Sequence, residues 1–392
     1  MNKLTYLTKF LPSLLLVSAS LARAEEGFIE ITKTGGPGHE QPILVSLSGF
    51  TGEAAEVLQF DLYVQGFAVT NEASSQYVIS GSNNGNLQGR VVDHVNKNTV
   101  LAKAYSGGSV RRQAHTFIDD FVQTRGRKPI GNTRIGFKGQ NGSNGEIYIA
   151  DFDGFNPQQV TRDDTIVAAP CMVPGHLAMY YTSYKFNHPD IFYQNLSSGA
   201  RTVFARYGGS NLSPAVSPDG SKVAMILSKD GWTDLYVSNS DKGDLRRLTR
   251  SPQDESSPCW SPDGQWICYA SKENERRSLS KISVSGGSPK RIPTNGAGNP
   301  SEPDWSPDGK WIAFTSQARD FSVCVVPATG GDAIILTAGE DPSWSPNSRT
   351  LAFARRQGGT YVLSLLDVPT KQVKDVSRTS GSSSQSQPSW AR

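Results

Sequence analysis

The sequence predicts a six-bladed β-propeller preceded by a small α/β domain, and two repeated features lead to this prediction. A Ser-Pro-Asp-Gly turn recurs at 217–220, 261–264 and 306–309, and a weaker copy, Ser-Pro-Asn-Ser, stands at 345–348. A proline precedes the serine of each turn by three residues, and the full series is Pro170, Pro214, Pro258, Pro303, Pro342 and Pro388. Successive prolines are 39 to 46 residues apart, which is the length of a four-stranded propeller blade.

Each repeat unit predicts four strands. In the unit from Pro258, a short strand over 259–261 leads into the turn, where proline presets φ, aspartate bonds the backbone and glycine accepts a positive φ. The segments 265–271, 279–284 and 289–292 are rich in the residues that strands favour. A tryptophan recurs two residues after four of the prolines, which favours core packing between neighbouring blades over a cofactor site: Trp260, Trp305, Trp344 and Trp390.

The number of blades follows from the two ends of the repeat. Five units begin at Pro170, Pro214, Pro258, Pro303 and Pro342. Upstream of them, 134–137, 146–150 and 158–161 predict strands two, three and four of another blade that lacks its first strand. Residues 388–390 predict a first strand that is not followed by strands two, three and four. We therefore expect the C-terminal strand to complete the first blade and close a ring of six, which removes exposed sheet edges.

The N-terminal region is predicted to contain a signal peptide at 1–24 and a small α/β domain at 25–130, with the propeller at 131–392. Lys3 and Lys9 precede an apolar stretch over 11–21, and Ala22-Arg23-Ala24 fits a cleavage site. Strands are expected at 28–32, 43–47, 77–80, 87–95 and 99–105. Apolar spacing predicts helices over 53–64 and 109–124.

Composition and motifs argue against several classes of function. The sequence contains 39 Lys and Arg residues and 36 Asp and Glu residues. Because these numbers nearly balance, the chain has no strong positive field that would attract nucleic acid. No G-x-S-x-G elbow occurs, the five histidines are scattered, and the 35–38 glycine segment lacks the P-loop lysine. The sequence therefore predicts no catalytic residue, no metal site and no cofactor. Cys259 and Cys268 flank one predicted hairpin, and both a disulfide and two small buried thiols stay open.

Two candidate binding segments follow from the predicted fold. If the innermost strands begin at the repeated prolines, the polar loops before them crowd around one end of the central channel and offer a concave surface to a protein. The second candidate is the N-terminal segment, which is apolar and rich in residues that favour strands, and which could add a strand to a partner's sheet. The candidates at the propeller mouth are Ser210, Asn211, Ser213, Glu255, Ser256, Ser257, Asn299, Glu302, Glu340, Asp341, Gln385 and Gln387. Those in the N-terminal segment are Phe28, Ile29, Ile31 and Thr32.

Beyond the turns, longer segments resemble a known family. QGRVVDHVNKNTVLAKAYS, the VRRQAHTFIDDFV helix, TRIGF and GEIYIADFDGFNPQQVT are similar to the domain junction of the TolB family, periplasmic propeller proteins of the Tol–Pal envelope system. The resemblance covers the whole chain after the predicted signal peptide. The sequence departs from the family's turns at 172–175 and at Asn347-Ser348.

The resemblance implies a periplasmic monomer that is no enzyme. Its expected partners are Pal, a peptidoglycan-associated lipoprotein bound at the propeller mouth, and TolA, an inner-membrane-anchored protein bound through the N-terminal segment. Residues 210–213 and Ser256 match family positions that contact Pal. Such proteins support outer-membrane integrity and cell division, sit peripherally on the outer membrane through Pal, and are used by some bacteriocins.

Two other functions stay open at this point. One is a propeller hydrolase, or the accessory domain of a peptidase. The other is a propeller that binds sugar or peptidoglycan, which would place exposed aromatic side chains on the mouth loops. The tryptophans instead fall in predicted strands, except Trp232, which stands outside the repeated positions.

Overall fold

The computed structural model describes residues 36–318, 320–376 and 384–392. The predicted signal peptide and the strand expected at 28–32 lie outside this part of the chain. Within it, no helix combines the length and the apolar character needed to cross a membrane.

The first domain is a five-stranded mixed sheet with two helices on one face. Apolar side chains of the helices, such as Leu58 and Phe117, pack on the sheet, and Phe117 lies so close to Gly89 that a Cβ there would meet its ring. The sheet order is β2-β1-β3-β4-β5, in which β1 runs parallel to both of its neighbours. The elements are β1 (Ile43–Ser48), α1 (Gly52–Val64), β2 (Phe67–Val69), a 3₁₀ turn (Glu72–Ser74), β3 (Tyr77–Ser82), β4 (Leu87–Asp93), β5 (Thr99–Tyr105) and α2 (Val110–Thr124). The strand β2 was not expected, because three residues carry too short a pattern.

Six four-stranded blades follow, together with one small two-stranded sheet. Blade 1 contains β6 (Arg134–Asn141), β7 (Asn144–Asp151) and β8 (Gln158–Gln159); blade 2 contains β9 (Val167–Met172), β10 (Ala178–Ser183), β11 (Asp190–Asn195) and β12 (Arg201–Ala205); blade 3 contains β13 (Asn211–Val216), β14 (Lys222–Leu227), β15 (Asp234–Asn239) and β16 (Arg246–Arg247). Blade 4 contains β17 (Asp254–Trp260), β18 (Trp266–Glu273), β19 (Arg276–Ser283) and β20 (Lys290–Ile292); blade 5 contains β22 (Pro300–Trp305), β23 (Trp311–Gln317), β24 (Phe321–Pro327) and β26 (Ile334–Ala338). The two-stranded sheet is β21 (Thr294–Asn295) with β25 (Gly331–Asp332), and blade 6 contains β27 (Glu340–Trp344), β28 (Thr350–Gln357), β29 (Thr360–Asp367) and β30 (Gln372–Asp375).

The ring is closed as the sequence predicts. The last strand, β31 (Ser384–Trp390), pairs antiparallel with β6 as the innermost strand of blade 1, with Trp390 opposite Ile135. Blade 1 therefore combines the two ends of the propeller, and its inner edge is paired. The expected architecture, an α/β domain and six blades closed by the C-terminal strand, is confirmed.

The expected start of the innermost strands is wrong. Each of these strands begins two to four residues before its proline, and the pairing register shifts around the proline, so that the proline lies at a bulge inside the strand. The residue before each proline has a left-handed backbone, with φ between 49° and 56°. These six residues are Ala169, Ser213, Ser257, Glu302, Asp341 and Gln387. Polar segments such as Asp254-Glu255-Ser256-Ser257 carry little strand propensity, and for that reason the sequence indicated loops.

Hydrogen bonds from both sides of the bulge join neighbouring blades. In three blades the side chain after the proline accepts a hydrogen bond from a backbone N–H of the next blade: Ser389 Oγ from Met172 (3.0 Å), Asp304 Oδ2 from Trp344 (2.6 Å) and Ser343 Oγ from Trp390 (3.1 Å). The N–H of the left-handed residue donates to the preceding blade, as from Ser213 to Thr182 Oγ1 (3.2 Å). The bulges therefore bind the ring together around the channel.

The turn of blade 6, which departs from the repeat at Asn347-Ser348, keeps the hydrogen bonds of the Ser-Pro-Asp-Gly turns. In the Ser217 turn, Asp219 Oδ1 accepts from the serine hydroxyl (2.5 Å) and from the N–H of Ser221 (3.0 Å). In blade 6, Asn347 Oδ1 accepts from Ser345 Oγ (2.5 Å) and from two backbone N–H groups. Asparagine thus replaces aspartate without loss of an acceptor.

The recurrent tryptophans are buried between blades, as expected. Trp344 is 1% exposed, and its indole N–H donates to the carbonyl of Asp304 in the neighbouring blade (3.1 Å). Trp260 donates in the same way to Ala215 (2.9 Å). All four cysteines carry free thiols, and Cys259 lies opposite Cys268 in the register of β17 and β18.

A buried group of charges joins the first domain to the propeller. His115 Nδ1 on α2 lies 2.7 Å from Asp61 Oδ2 on α1, and its Nε2 lies 3.4 Å from Asp153 Oδ2 beyond β7. Arg111 also pairs with Asp153. Asp61, His115 and Asp153 are almost wholly buried. Burial raises the pKa of Asp61, while the nearby His115 opposes that rise. His115 is therefore packed at the domain junction.

Replacing this histidine tests the junction. His115→Ala leaves the Asp61 carboxyl buried without its partner, which should lower the free energy of unfolding by about 3–5 kcal/mol. Denaturant unfolding of the full chain measures the change. The exposed His39 provides the control, because His39→Ala should change stability by no more than about 0.5 kcal/mol. Equal stability of the two variants would contradict a structural role for the His115 pairs.

Candidate functional site

A central channel of about 620 Å³ runs along the propeller axis, and the innermost strands line it. All six strands run in the same sense, so their first residues surround one end and the Pro-Asp-Gly turns surround the other. We call these ends the mouth and the turn end. The β14–β15 connection also lies at the mouth, because β13 and β15 both pair antiparallel with β14.

The mouth is ringed by the six left-handed residues that precede the prolines, all of which line the channel. Ala169, Ser213 and Ser257 make the side formed by blades 2 to 4 small and neutral. Glu302 and Asp341 make the side formed by blades 5 and 6 acidic, and Gln387 of blade 1 lies beside them. Its Oε1 accepts the N–H of Ala169 (2.9 Å), and its own N–H donates to Asp341 Oδ2 (2.9 Å). The ring is thus a connected set of hydrogen bonds with one acidic side.

The acidic side holds carboxyl groups that resist ionisation. Burial, and then the charges of Glu302 and Glu340, raise the pKa of Asp341 well above its usual value. Burial and the charge of Glu302 also raise the pKa of Glu340. Glu302 accepts a hydrogen bond from Thr315 (2.6 Å). Burial lowers the pKa of Lys138 on blade 1, and the charge of Asp341 opposes this shift. A cationic group brought to this side would relieve the repulsion among the carboxylates.

Two of the buried predicted mouth residues, Asn211 and Glu255, support the fold. Asn211 is fully buried; its Oδ1 accepts from the N–H of Tyr207 and its Nδ2 donates to three carbonyls. Glu255 is 4% exposed and accepts from the Thr249 hydroxyl and from the N–H of Leu235. Burial raises the pKa of Glu255 to about 7. Neither side chain lines the channel, so each acts on the mouth by holding its backbone.

The remaining predicted residues are half-buried around the ring, except Gln385, which is buried. Ser210 and Ser256 are half-buried, as is Asn299, whose Oδ1 accepts from the N–H of Arg277 (3.3 Å). Gln385 is 4% exposed. The structure therefore brings the predicted propeller residues to one end of the channel, although only Ser213, Ser257, Glu302, Asp341 and Gln387 line it.

Aromatic side chains are present at the mouth face, contrary to the expectation from sequence. Trp232 lies in the β14–β15 connection and is 53% exposed, and Phe186 lies in the β10–β11 connection and is 44% exposed. Arg206 stacks on Phe186 at 4.0 Å. The one signal in the sequence was that Trp232 stands outside the repeated tryptophan positions.

The described residues offer binding chemistry at the mouth. No group of three or more His, Cys, Asp or Glu side chains within that part of the chain is arranged to hold a metal ion. The N-terminal candidates Phe28, Ile29, Ile31 and Thr32 lie outside the described residues.

The family follows from comparison with known proteins. A family model described as the TolB beta propeller domain matches residues 121–392. The chain belongs to the TolB β-propeller family. Proteins named Tol-Pal system protein TolB from Bordetella pertussis and Bordetella bronchiseptica are each 31% identical to it over 281 residues, which are 70% of this chain and 64% of each relative. The match thus spans less than two thirds of those TolB proteins.

Solved structures of TolB proteins agree with the fold. The crystal structure of TolB from Acinetobacter baumannii has a TM-score of 0.80 at 22% identity and covers 91% of this chain and 98% of that one. A putative TolB from Agrobacterium tumefaciens has a TM-score of 0.50 at 20% identity, over 63% of this chain. The TolB relatives are named as components of the Tol-Pal system and not as enzymes, in line with the family implied by the sequence.

The buried Glu255 makes the stability of this TolB-family propeller depend on pH. The pKa of Glu255 in the fold, about 7, lies above the ordinary value of 4.5. The contribution of Glu255 to the free energy of unfolding is therefore fully present below pH 4.5 and is lost as the pH rises through about 7. Glu255→Gln should remove this part of the pH dependence. Unfolding midpoints in denaturant at several pH values between 4.5 and 8 measure it.

The control for this prediction is Glu273→Gln at the exposed end of β18, which should leave the pH profile unchanged. If the wild-type protein and Glu255→Gln lose stability in parallel over this range, burial of Glu255 does not set the profile.

Proposed function

We propose that the protein is the periplasmic propeller component of a Tol–Pal complex that helps maintain the outer membrane and supports cell division. In this proposal a Pal-like peptidoglycan-associated lipoprotein binds at the mouth and keeps the protein, a monomer, at the periphery of the outer membrane. A TolA-like inner-membrane-anchored protein binds the N-terminal segment. The names of the relatives and the family match support the system.

The observation that carries the proposal is the preformed mouth. Its ring residues are held by hydrogen bonds between blades, so little conformational entropy is lost when a partner docks. The small side chains of Ser213 and Ser257 leave room on one side, and a basic group docked on the other side would favour ionisation of the Asp341 carboxyl. Exposed Trp232 and Phe186 supply the apolar contact area that aromatic side chains often give to protein interfaces.

The Pal-like partner is tested by binding of the purified soluble domains. Ser256→Arg places a bulky side chain at the mouth and should weaken binding about tenfold or more, equivalent to ~1.4 kcal/mol. Ser197→Arg lies in the connection after β11, at the turn end, and should leave the affinity unchanged. Calorimetry measures both, and equal loss in the two variants would remove the mouth from the proposal.

The TolA-like partner is tested separately through the N-terminal segment. Removal of residues 27–34 should abolish binding of the TolA-like periplasmic domain, because Phe28, Ile29, Ile31 and Thr32 would supply the added strand. Binding of the Pal-like protein at the mouth should persist in the same variant. Unchanged TolA-like binding would show that another surface is used.

A second candidate function has one specific observation in its favour. Trp232 and Phe186 are exposed at the mouth face, and aromatic faces of this kind also stack on sugar rings. Direct binding to purified peptidoglycan, lost in Trp232→Ala and kept in Ser256→Arg, would support this function. The Tol–Pal proposal instead expects retention on peptidoglycan only when the lipoprotein is present.

A further inference from the structure

Arg392 extends past the last strand into the turn end of the channel. Its backbone is fixed on two sides, because the N–H of Ala391 donates to Arg134 (2.9 Å) and the carbonyl of Arg392 accepts from Gly175 (3.0 Å). Its side chain is 29% exposed and lines the channel. The guanidinium therefore sits at a defined place that remains open to solvent.

Three acceptors from two blades converge on this guanidinium. Its Nη2 pairs with the Asp304 carboxylate, its Nε donates to the carbonyl of Trp344 (3.2 Å), and its Nη1 donates to the carbonyl of Trp305 (3.4 Å). A guanidinium is planar and carries donors on three nitrogens, so it can reach acceptors that point from different directions. A lysine ammonium has all its donors on one atom and cannot span the three.

Asp304 is out of the ordinary for its position. The residue after the repeated proline is Cys171, Ala215, Cys259, Ser343 or Ser389 in the other blades, so Asp304 alone is acidic. The bond to the next blade that it provides, from the N–H of Trp344, is made elsewhere by a neutral serine. Burial raises the pKa of Asp304 even though Arg392 opposes that shift. The carboxylate is thus costly in the channel unless a cation pairs with it.

We propose that Asp304 and the carbonyls of Trp305 and Trp344 form a guanidinium-binding site in the turn end of the channel, with Arg392 as its resident ligand. The site takes arginine side chains and small alkylguanidinium ions as a class. As the ligand of this site, Arg392 connects blades 1 and 2 to blades 5 and 6 across the channel. This site does not depend on the proposed function, which uses the mouth.

The test empties the site and offers it a small ligand. Arg392→Ala in the full chain should lower the thermal midpoint by about 2–4 °C. Methylguanidinium at low millimolar concentration should restore part of that loss, whereas methylammonium at equal ionic strength should not. Neither ion should raise the midpoint of the wild-type protein, because Arg392 fills the site.

The double variant Arg392→Ala/Asp304→Asn is the matched control. It lacks the carboxylate, so methylguanidinium should no longer raise its midpoint. An equal response of the single and the double variant, or an equal response to both ions, would overturn the proposal. An unchanged midpoint in Arg392→Ala would do the same.

A second variant decides the question if Arg392→Ala does not fold. Arg392→Lys keeps the charge but loses the fork of donors, and it should recover less than half of the midpoint difference between the wild type and an Arg392→Gln protein. Full wild-type stability of Arg392→Lys would show that charge alone matters and that no guanidinium site exists.

Discussion

The left-handed residue before each repeated proline is the constraint on which the propeller depends. For a residue other than glycine this backbone costs roughly 1–2 kcal/mol, and the ring contains six of them. Such strain persists only where the surroundings over-determine it. Here each bulge turns one side chain toward the channel, as at Glu302, and in several blades its N–H donates across to the preceding blade, as from Ser213 to Thr182. The same distortion therefore builds the binding mouth and joins the blades.

Closure of the ring is reinforced at three places that differ in chemistry. Strand β31 supplies backbone pairing to β6, and Trp390 is buried against Phe152 and donates to the hydroxyl of Thr133. At the junction with the first domain the contacts are ionic, centred on His115. The backbone hydrogen bonds join only β31 and β6. The side-chain contacts of Trp390 and His115 connect other elements to blade 1. Release of β31 from β6 must therefore also break its hydrogen bonds to blades 2 and 6.

The repeat allowed the blades, their closure and the buried tryptophans to be predicted, because each depends on local pattern and count. The bulges were missed, since polar residues such as Asp254 and Ser256 carry no strand signal and become strand residues only when a neighbour pairs with them. The contact between Asp61 and His115 joins residues 54 positions apart, which no local pattern encodes. The roles of Asn211 and Glu255 as buried supports likewise depend on burial, and burial is set by the assembled ring.

The two ends of the channel are connected by the short innermost strands that line it. On β22, Glu302 at the mouth and Asp304 at the turn end are separated only by Pro303, whose ring fixes φ. On β27, Asp341 at the mouth precedes Trp344, whose carbonyl accepts from Arg392, by three residues. The N–H of Asp341 also donates to Glu302 Oε2 (3.4 Å), which joins β27 to β22. The acidic residues of the mouth and the acceptors of Arg392 are therefore held by the same two innermost strands, β22 and β27, which are bonded to each other.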